Sequence, residues 1–162
     1  MATTSSQKAK VTLPADEQIL ITREFDAPKD LVYRAWTTPE LVRRWWAGKR
    51  GEVTSAEIDL RVGGRWRYVM MAEGGFEVAF HGEYREIVPN ERVVSTEVYE
   101  GAPGSPPAIV TTTFTEIDGR THLELLTDVE SREIRDIIME SGMEVGVQEQ
   151  MELLEELARS LR

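Results

Sequence analysis

The chain has 162 residues, 41% of them apolar, which is enough for one domain with its own core. It contains no cysteine, which excludes a disulfide framework and a thiolate metal site and fits a reducing, cytoplasmic location. A formal net charge of -10 disfavours a general binder of nucleic acid or of anionic membranes.

Met1 to Lys10 is rich in Thr, Ser and Lys and lacks the apolar centre of a secretory signal, so residues 1–15 read as a disordered tail. Nowhere does an apolar run approach the ~20 residues needed to cross a bilayer, and no membrane insertion is expected. Glu17 to Phe25 alternates as a first strand, with Ile19, Ile21 and Phe25 to one side and Leu20 to the other. Asp26-Ala27-Pro28 then opens a short helix over Lys29 to Thr37, where Leu31, Val32, Ala35 and Trp36 recur at helical spacing. Thr38-Pro39 starts a second short helix, with Thr38 as N-cap and Leu41, Val42, Trp45 and Trp46 on its apolar face. Gly48 and Gly51 end it. Consecutive helix positions lie about 100° apart, so one ring of the Trp45-Trp46 pair can anchor in the core while the other reaches a cavity or solvent. Arg43, Arg44, Lys49 and Arg50 form the one basic cluster, which reads as a solvated surface group.

Strands follow at near-regular spacing: Val53 to Leu60, Arg65 to Met71, Phe76 to Val88, Arg92 to Tyr99, Ala108 to Ile117 and Arg120 to Thr127. Gly63-Gly64 serves a turn that needs positive φ; it lacks the context of a phosphate loop. Asp118-Gly119 is a hairpin turn, and Gly101 to Pro107 is a loop. Parity places Trp66, Tyr68 and Met70 on one face, with Phe80, Gly82 and Tyr84, with Val110, Thr112 and Phe114, and with Thr121, Leu123 and Leu125. Glu57 and Asp59 fall on the other face, as do His81 and His122. Neither histidine has a second ligand at metal-binding spacing, and no metal or cofactor is expected.

Ser131 to Arg162 reads as one long amphipathic helix, bent near Ser141-Gly142. Its stripe is Met143, Val147, Met151, Leu154 and Leu161, and Glu144, Glu149, Glu152, Glu155 and Glu156 fall mostly on the other side. Gly142 and Gly146 share a face and suggest close approach or a cavity boundary. Met70, Met139, Met143 and Met151 are adaptable liners or plain core. The whole reads as an α+β fold: a curved seven-stranded antiparallel sheet wrapped around a long C-terminal helix, with two short helices between strands one and two. The apolar stripe and the aromatic parity then enclose a cavity with a few polar handles, the form of a small-molecule site.

Four ordered blocks carry a family resemblance: Phe25 to Trp46 (FDAPKDLVYRAWTTPELVRRWW), Asp59 to Met70 (DLRVGGRWRYVM), His81 to Val94 (HGEYREIVPNERVV) and Ser141 to Ala158 (SGMEVGVQEQMELLEELA). Together they resemble the START-like, helix-grip superfamily, and within it the branch related to the activator of the heat-shock-protein-ninety ATPase. The resemblance implies a single helix-grip domain over residues 16–162, with a cavity beneath the helix and roles ranging from lipid or polyketide binding to cyclisation and dehydration. Relatives carry Gly-Pro after the tryptophan pair, where this chain has Ala47-Gly48-Lys49.

The expected function is binding of a hydrophobic or aromatic small molecule, lipid- or polyketide-like. The expected lining is Trp45, Trp46, Trp66, Tyr68, Met70, Phe80, Tyr84, Phe114, Met143, Val147, Gln150 and Met151. An enzyme of cyclase, dehydratase or hydrolase type in the same pocket is the alternative. It requires an inward carboxylate, histidine or arginine near Tyr68 or Tyr84, because no nucleophile–base pair stands at recognisable spacing. A protein-interaction module, with a protein partner on an exposed patch, is the third reading.

Overall fold

Alternating apolar residues build most of this molecule, and a computed structural model describes residues 8–102 and 104–162. In chain order the elements are β1 (Lys10–Thr12), β2 (Gln18–Phe25), α1 (Lys29–Thr37), α2 (Pro39–Val42), β3 (Gly51–Ile58), β4 (Arg65–Ala72), β5 (Glu77–Val88), β6 (Arg92–Tyr99), β7 (Ala108–Ile117), β8 (Arg120–Asp128), α3 (Arg132–Glu140) and α4 (Met143–Ser160). The strands form one open antiparallel sheet in the order β1-β2-β8-β7-β6-β5-β4-β3. That is eight strands where the sequence suggests seven.

The added strand is β1, inside the stretch expected to be a tail. Lys10 pairs with Thr22, Val11 with Ile21 and Thr12 with Leu20. The Gln148 side chain of α4 then clamps the preceding backbone, accepting from the Ala9 N–H at 2.9 Å and donating to the Ala9 carbonyl at 2.8 Å. Three residues without alternation carry no strand signal of their own; long-range partners specify them. The rest of the expected tail, residues 1–7, lies outside the described residues.

Register fixes which side chains share a face. Trp66 pairs with Gly82, Tyr68 with Phe80 and Met70 with Val78, while Phe114 pairs with Leu123 and Val93 with Thr112. Irregularities between Val53 and Ser55 and between Tyr84 and Glu86 bend the two strands that carry them. The β7–β8 turn has positive φ at both Asp118 and Gly119, the backbone that suits a two-residue hairpin.

The core lies on the aromatic side of the sheet. Ile19, Ile21, Phe25, Phe114 and Leu123 meet Val32 and Ala35 of α1 and Val147, Met151, Leu154 and Leu157 of α4. Leu154 is fully buried, which contributes about 1.5–3 kcal/mol from removal of apolar surface. The C-terminal stretch is two helices rather than one bent helix. Gly142 has φ +83°, a left-handed conformation that glycine adopts without strain, and this ends α3 and starts α4. Ser131 caps α3 by accepting from the Ile134 N–H at 3.1 Å.

Two local expectations are corrected. The second helix stops at Val42, and Arg43 to Lys49 continue as hydrogen-bonded turns; Thr38 makes no side-chain cap. Glu155, placed by its neighbours on the solvent side of the last helix, is buried with Arg23 of β2, Nη2 to Oε1 3.3 Å. The other Glu155 oxygen accepts from the Asp26 N–H at 2.8 Å. This ion pair ties α4 to the end of β2.

Candidate functional site

The two tryptophans of the expected pair diverge. Trp45 is buried, its indole N–H donates to the Ala35 carbonyl at 3.0 Å, and its ring stacks on Trp36 with centroids 5.0 Å apart. Trp46 is half-buried and points toward the sheet, edge-on to Tyr68 at 5.4 Å and to Phe80 at 5.8 Å. Tyr68 in turn leans on Trp66 at 4.8 Å, and Phe80 on Tyr99 at 5.1 Å. The Gln150 amide of α4 donates to the Trp46 carbonyl and holds this wall against the helix.

Of the expected lining, Trp45, Trp66, Tyr84, Phe114, Val147 and Met151 are buried within the core. Trp46, Tyr68, Met70, Phe80, Met143 and Gln150 keep part of their surface accessible. The second group is half-buried, and the first belongs to the packed core. Met139 is half-buried on α3. Gly146 is not a close-packing device: a methyl group added there would meet no atom within 4 Å.

Gly82 is a glycine with a steric reason beside this wall. A Cβ on it would collide with the Thr96 carbonyl oxygen and with Trp66 Nε1. Its absence lets the Trp66 indole cross β5 and donate to the Thr96 carbonyl at 3.2 Å. Thr96 Oγ1 accepts from the Glu83 N–H at 2.9 Å, so the β5–β6 ladder is joined here by side chains.

Beside this point stands a residue the sequence reading missed. Glu97 of β6 pairs with Ala108 of β7, and in the same β6–β7 register Ser95 pairs with Val110 and Val93 with Thr112. It therefore belongs to the inner face, with small Ala108 on one flank and Gly82, by the β5–β6 register, on the other. Protein crowds the side chain, yet it is half-buried rather than sealed. No hydrogen bond or ion pair engages its carboxylate among the described residues. Burial alone pushes its ionisation up to about 7.

A phenol stands near this carboxyl, with two more beyond it. Tyr68 is likewise enclosed but not sealed, and its hydroxyl hydrogen-bonds that of Tyr84. Burial raises both phenols above their ordinary range, and the neighbouring Tyr84 and Glu97 raise Tyr68 further. Tyr33 of α1, edge-on to Phe114 at 5.4 Å, is close enough to Tyr84 to disfavour its ionisation. The Tyr33 hydroxyl is buried without a hydrogen-bond partner. A phenol on a helix with Val32 and Ala35 gives no sequence sign of this. Glu97 was hidden because Val94, Thr96 and Val98 are the more apolar parity of β6, which sends Glu97 outward in a pattern reading.

The opposite face carries a cleft of about 610 Å³ that includes Glu57, Asp59, Arg67, His81 and Glu100. Arg67 donates twice to Glu100, at 2.8 and 2.9 Å, and His81 Nδ1 lies 2.8 Å from the same carboxylate. The Arg67 and His81 hydrogen bonds hold the Glu100 carboxyl down at about 2. These groups satisfy one another, so the cleft offers a ligand little. His122 is also at the surface, near Glu24 and Glu124. Among the described residues no three acidic or histidine side chains could hold a metal ion, and no helix is long and apolar enough to cross a membrane. Exposed Val62 and Phe76 sit in two different connections, Ile117 at the end of β7 and Ile137 on α3.

Comparison with known proteins places this geometry. The family of the Activator of Hsp90 ATPase homolog 1-like protein matches residues 26–159. A Rhodobacter sphaeroides protein superposes with TM-score 0.87 at 22% identity, covering 94% of this chain and 99% of that one. A Chromobacterium violaceum protein gives TM-score 0.74 at 28% identity over 86% and 96% of the two chains. An AHSA1-like protein of Aeromonas hydrophila gives 0.64 at 20% identity over 88% and 93%. Among curated proteins none matches the chain.

Proposed function

The chain belongs to the Activator of Hsp90 ATPase homolog 1-like family, and from that premise we propose that residues 16–162 act as one helix-grip domain that binds a hydrophobic or aromatic small molecule, lipid- or polyketide-like. The ligand lies between the inner face of the sheet and α4, against Trp46, Tyr68 and Phe80. The observation that carries this reading is that Tyr68 and Glu97 are enclosed by protein and still accessible. A small set of polar groups inside an aromatic wall is how a protein orients a mostly apolar ligand. Native mass spectrometry and thermal shift against lipids, naphthyl compounds and polyketides provide the test. Stabilisation by members of the panel, lost when Gly146→Phe fills the adjoining space, is the expected result. A panel in which no compound binds overturns the reading.

Glu97 also favours a second reading, an enzyme of cyclase, dehydratase or hydrolase type. An inward carboxyl that ionises near neutrality has the proton affinity a general base needs. Turnover of a polyketide-like substrate, abolished in Glu97→Gln while binding persists, would establish it. Binding without turnover leaves the carrier reading in place.

A further inference from the structure

We propose that Glu97 selects the ligand's head group, so that the cavity takes an aromatic molecule carrying a hydrogen-bond donor, a hydroxyl or a protonated amine, and turns away a carboxylate. This rests on the small-molecule reading above and narrows it.

The geometry begins with the neighbours of Glu97. Ala108 and Gly82 flank it on the inner face, the two smallest side chains available, so nothing from the adjacent strands covers the carboxyl. No cation faces it. The ionisable groups on its side are phenols: Tyr68 from β4, then Tyr84 from β5 and Tyr33 from α1. On α4 Met143, Val147 and Gln150 are uncharged, Glu149 is engaged by Arg50 and the Lys49 N–H, and buried Glu155 is occupied by Arg23 and the Asp26 N–H. When a ligand displaces water from this accessible carboxyl, the carboxyl needs a hydrogen bond in its place. A ligand donor supplies it.

The wall beside the carboxyl is aromatic, with Trp46, Tyr68 and Phe80 edge-on or tilted to one another. A flat ring fits such a wall, and an attached donor would then point toward Glu97. Tyr33 adds a second orphan: its hydroxyl is buried and unpaired, 8% of the residue being exposed. Tyr33 is a buried unpaired phenol and Glu97 an accessible carboxyl without a hydrogen-bond partner among the described residues, and the polar atoms of a ligand suit both. A ligand carboxylate meets the opposite situation. It would bring a second negative charge beside Glu97, which among the described residues has no arginine or lysine partner to balance it.

Three naphthyl probes of one ring size separate the possibilities: naphthylmethylamine, naphthylmethanol and naphthoate, titrated into the full chain by calorimetry. At about pH 8.5, where Glu97 is ionised, naphthylmethylamine should bind at least roughly tenfold tighter than naphthoate, with naphthylmethanol between them. At about pH 5.5 naphthoate should recover, because the carboxyl then carries its proton. Glu97→Gln, which keeps the shape and removes the charge, should bring the amine and the carboxylate to within about twofold of each other at both pH values. Tyr33→Phe tests the frame independently and should leave the ranking intact. Equal binding of all three probes, or a ranking unchanged in Glu97→Gln, overturns head-group selection while the cavity reading survives. Failure of every naphthyl probe to bind at either pH overturns both.

Discussion

Glu97→Gln also tests burial of the carboxyl without any ligand. In the folded protein Glu97 ionises at about 7, against an ordinary value of 4.5, and burial is the cause. Each unit corresponds to about 1.36 kcal/mol, so holding the charge inside costs about 3 kcal/mol when ionisation is complete. The fold binds this proton more tightly than the unfolded chain does. Below pH 4.5 both states are protonated and there is no penalty; between 4.5 and about 7 the unfolded chain ionises first, and stability falls as pH rises. Above that window the full penalty is present. Urea denaturation of the native chain and of Glu97→Gln, run in parallel across this range, isolates the effect because all other titrating groups are common to both. The two should differ least at the acid end, and the variant should be more stable by about 3 kcal/mol near pH 8. A stability difference that does not change with pH would refute the reasoning, since it would mean the carboxyl is as well solvated in the fold as outside it.

Four further substitutions report on the surroundings. Gly146→Ala should stabilise by roughly 0.5–1 kcal/mol in thermal melts, because the position is helical and an added methyl meets no neighbour. Gly82→Ala should destabilise by about 1–3 kcal/mol or more in the same assay, since its Cβ collides with the Thr96 carbonyl and the Trp66 indole. Tyr33→Phe should be neutral or stabilising by about 1 kcal/mol in the ligand-free protein, because it removes a buried hydroxyl that has no partner. Glu155→Ala should cost about 3–5 kcal/mol in urea denaturation, as it removes the acidic partner of buried Arg23 and the acceptor of the Asp26 N–H.

Sequence patterning reached the frame of this molecule and stopped short of its polar interior. Alternation in β4, β5, β7 and β8 identified the inner face, because one side of those strands is packed and the other wet. The helical stripe Met143, Val147, Met151 and Leu154 likewise pointed to the core, and Ser141-Gly142 marked the break between α3 and α4. The Trp45-Trp46 pair diverges as expected, although the two residues lie in hydrogen-bonded turns after α2 rather than in a helix. What failed has a shared cause. Arg23, Glu97 and Glu155 are charged residues on inner faces, and hydropathy assigns charge to solvent. Arg23 and Glu155 are stabilised by each other across 132 residues of chain, which no local window contains. Glu97 has no such partner among the described residues, and only the β6–β7 register reveals its direction. β1 is illegible for a related reason: its hydrogen bonds run to β2 and, through Ala9, to Gln148.

The ligand site proposed between sheet and α4 is probed most directly by NMR of the aromatic side chains during titration with naphthylmethanol. Resonances of Trp46, Tyr68 and Phe80 should shift together and saturate at one equivalent of probe, with Arg67 and His81 on the outer face unmoved. Shifts confined to the outer face, or an aromatic spectrum that does not change, would contradict the placement of a ligand site there.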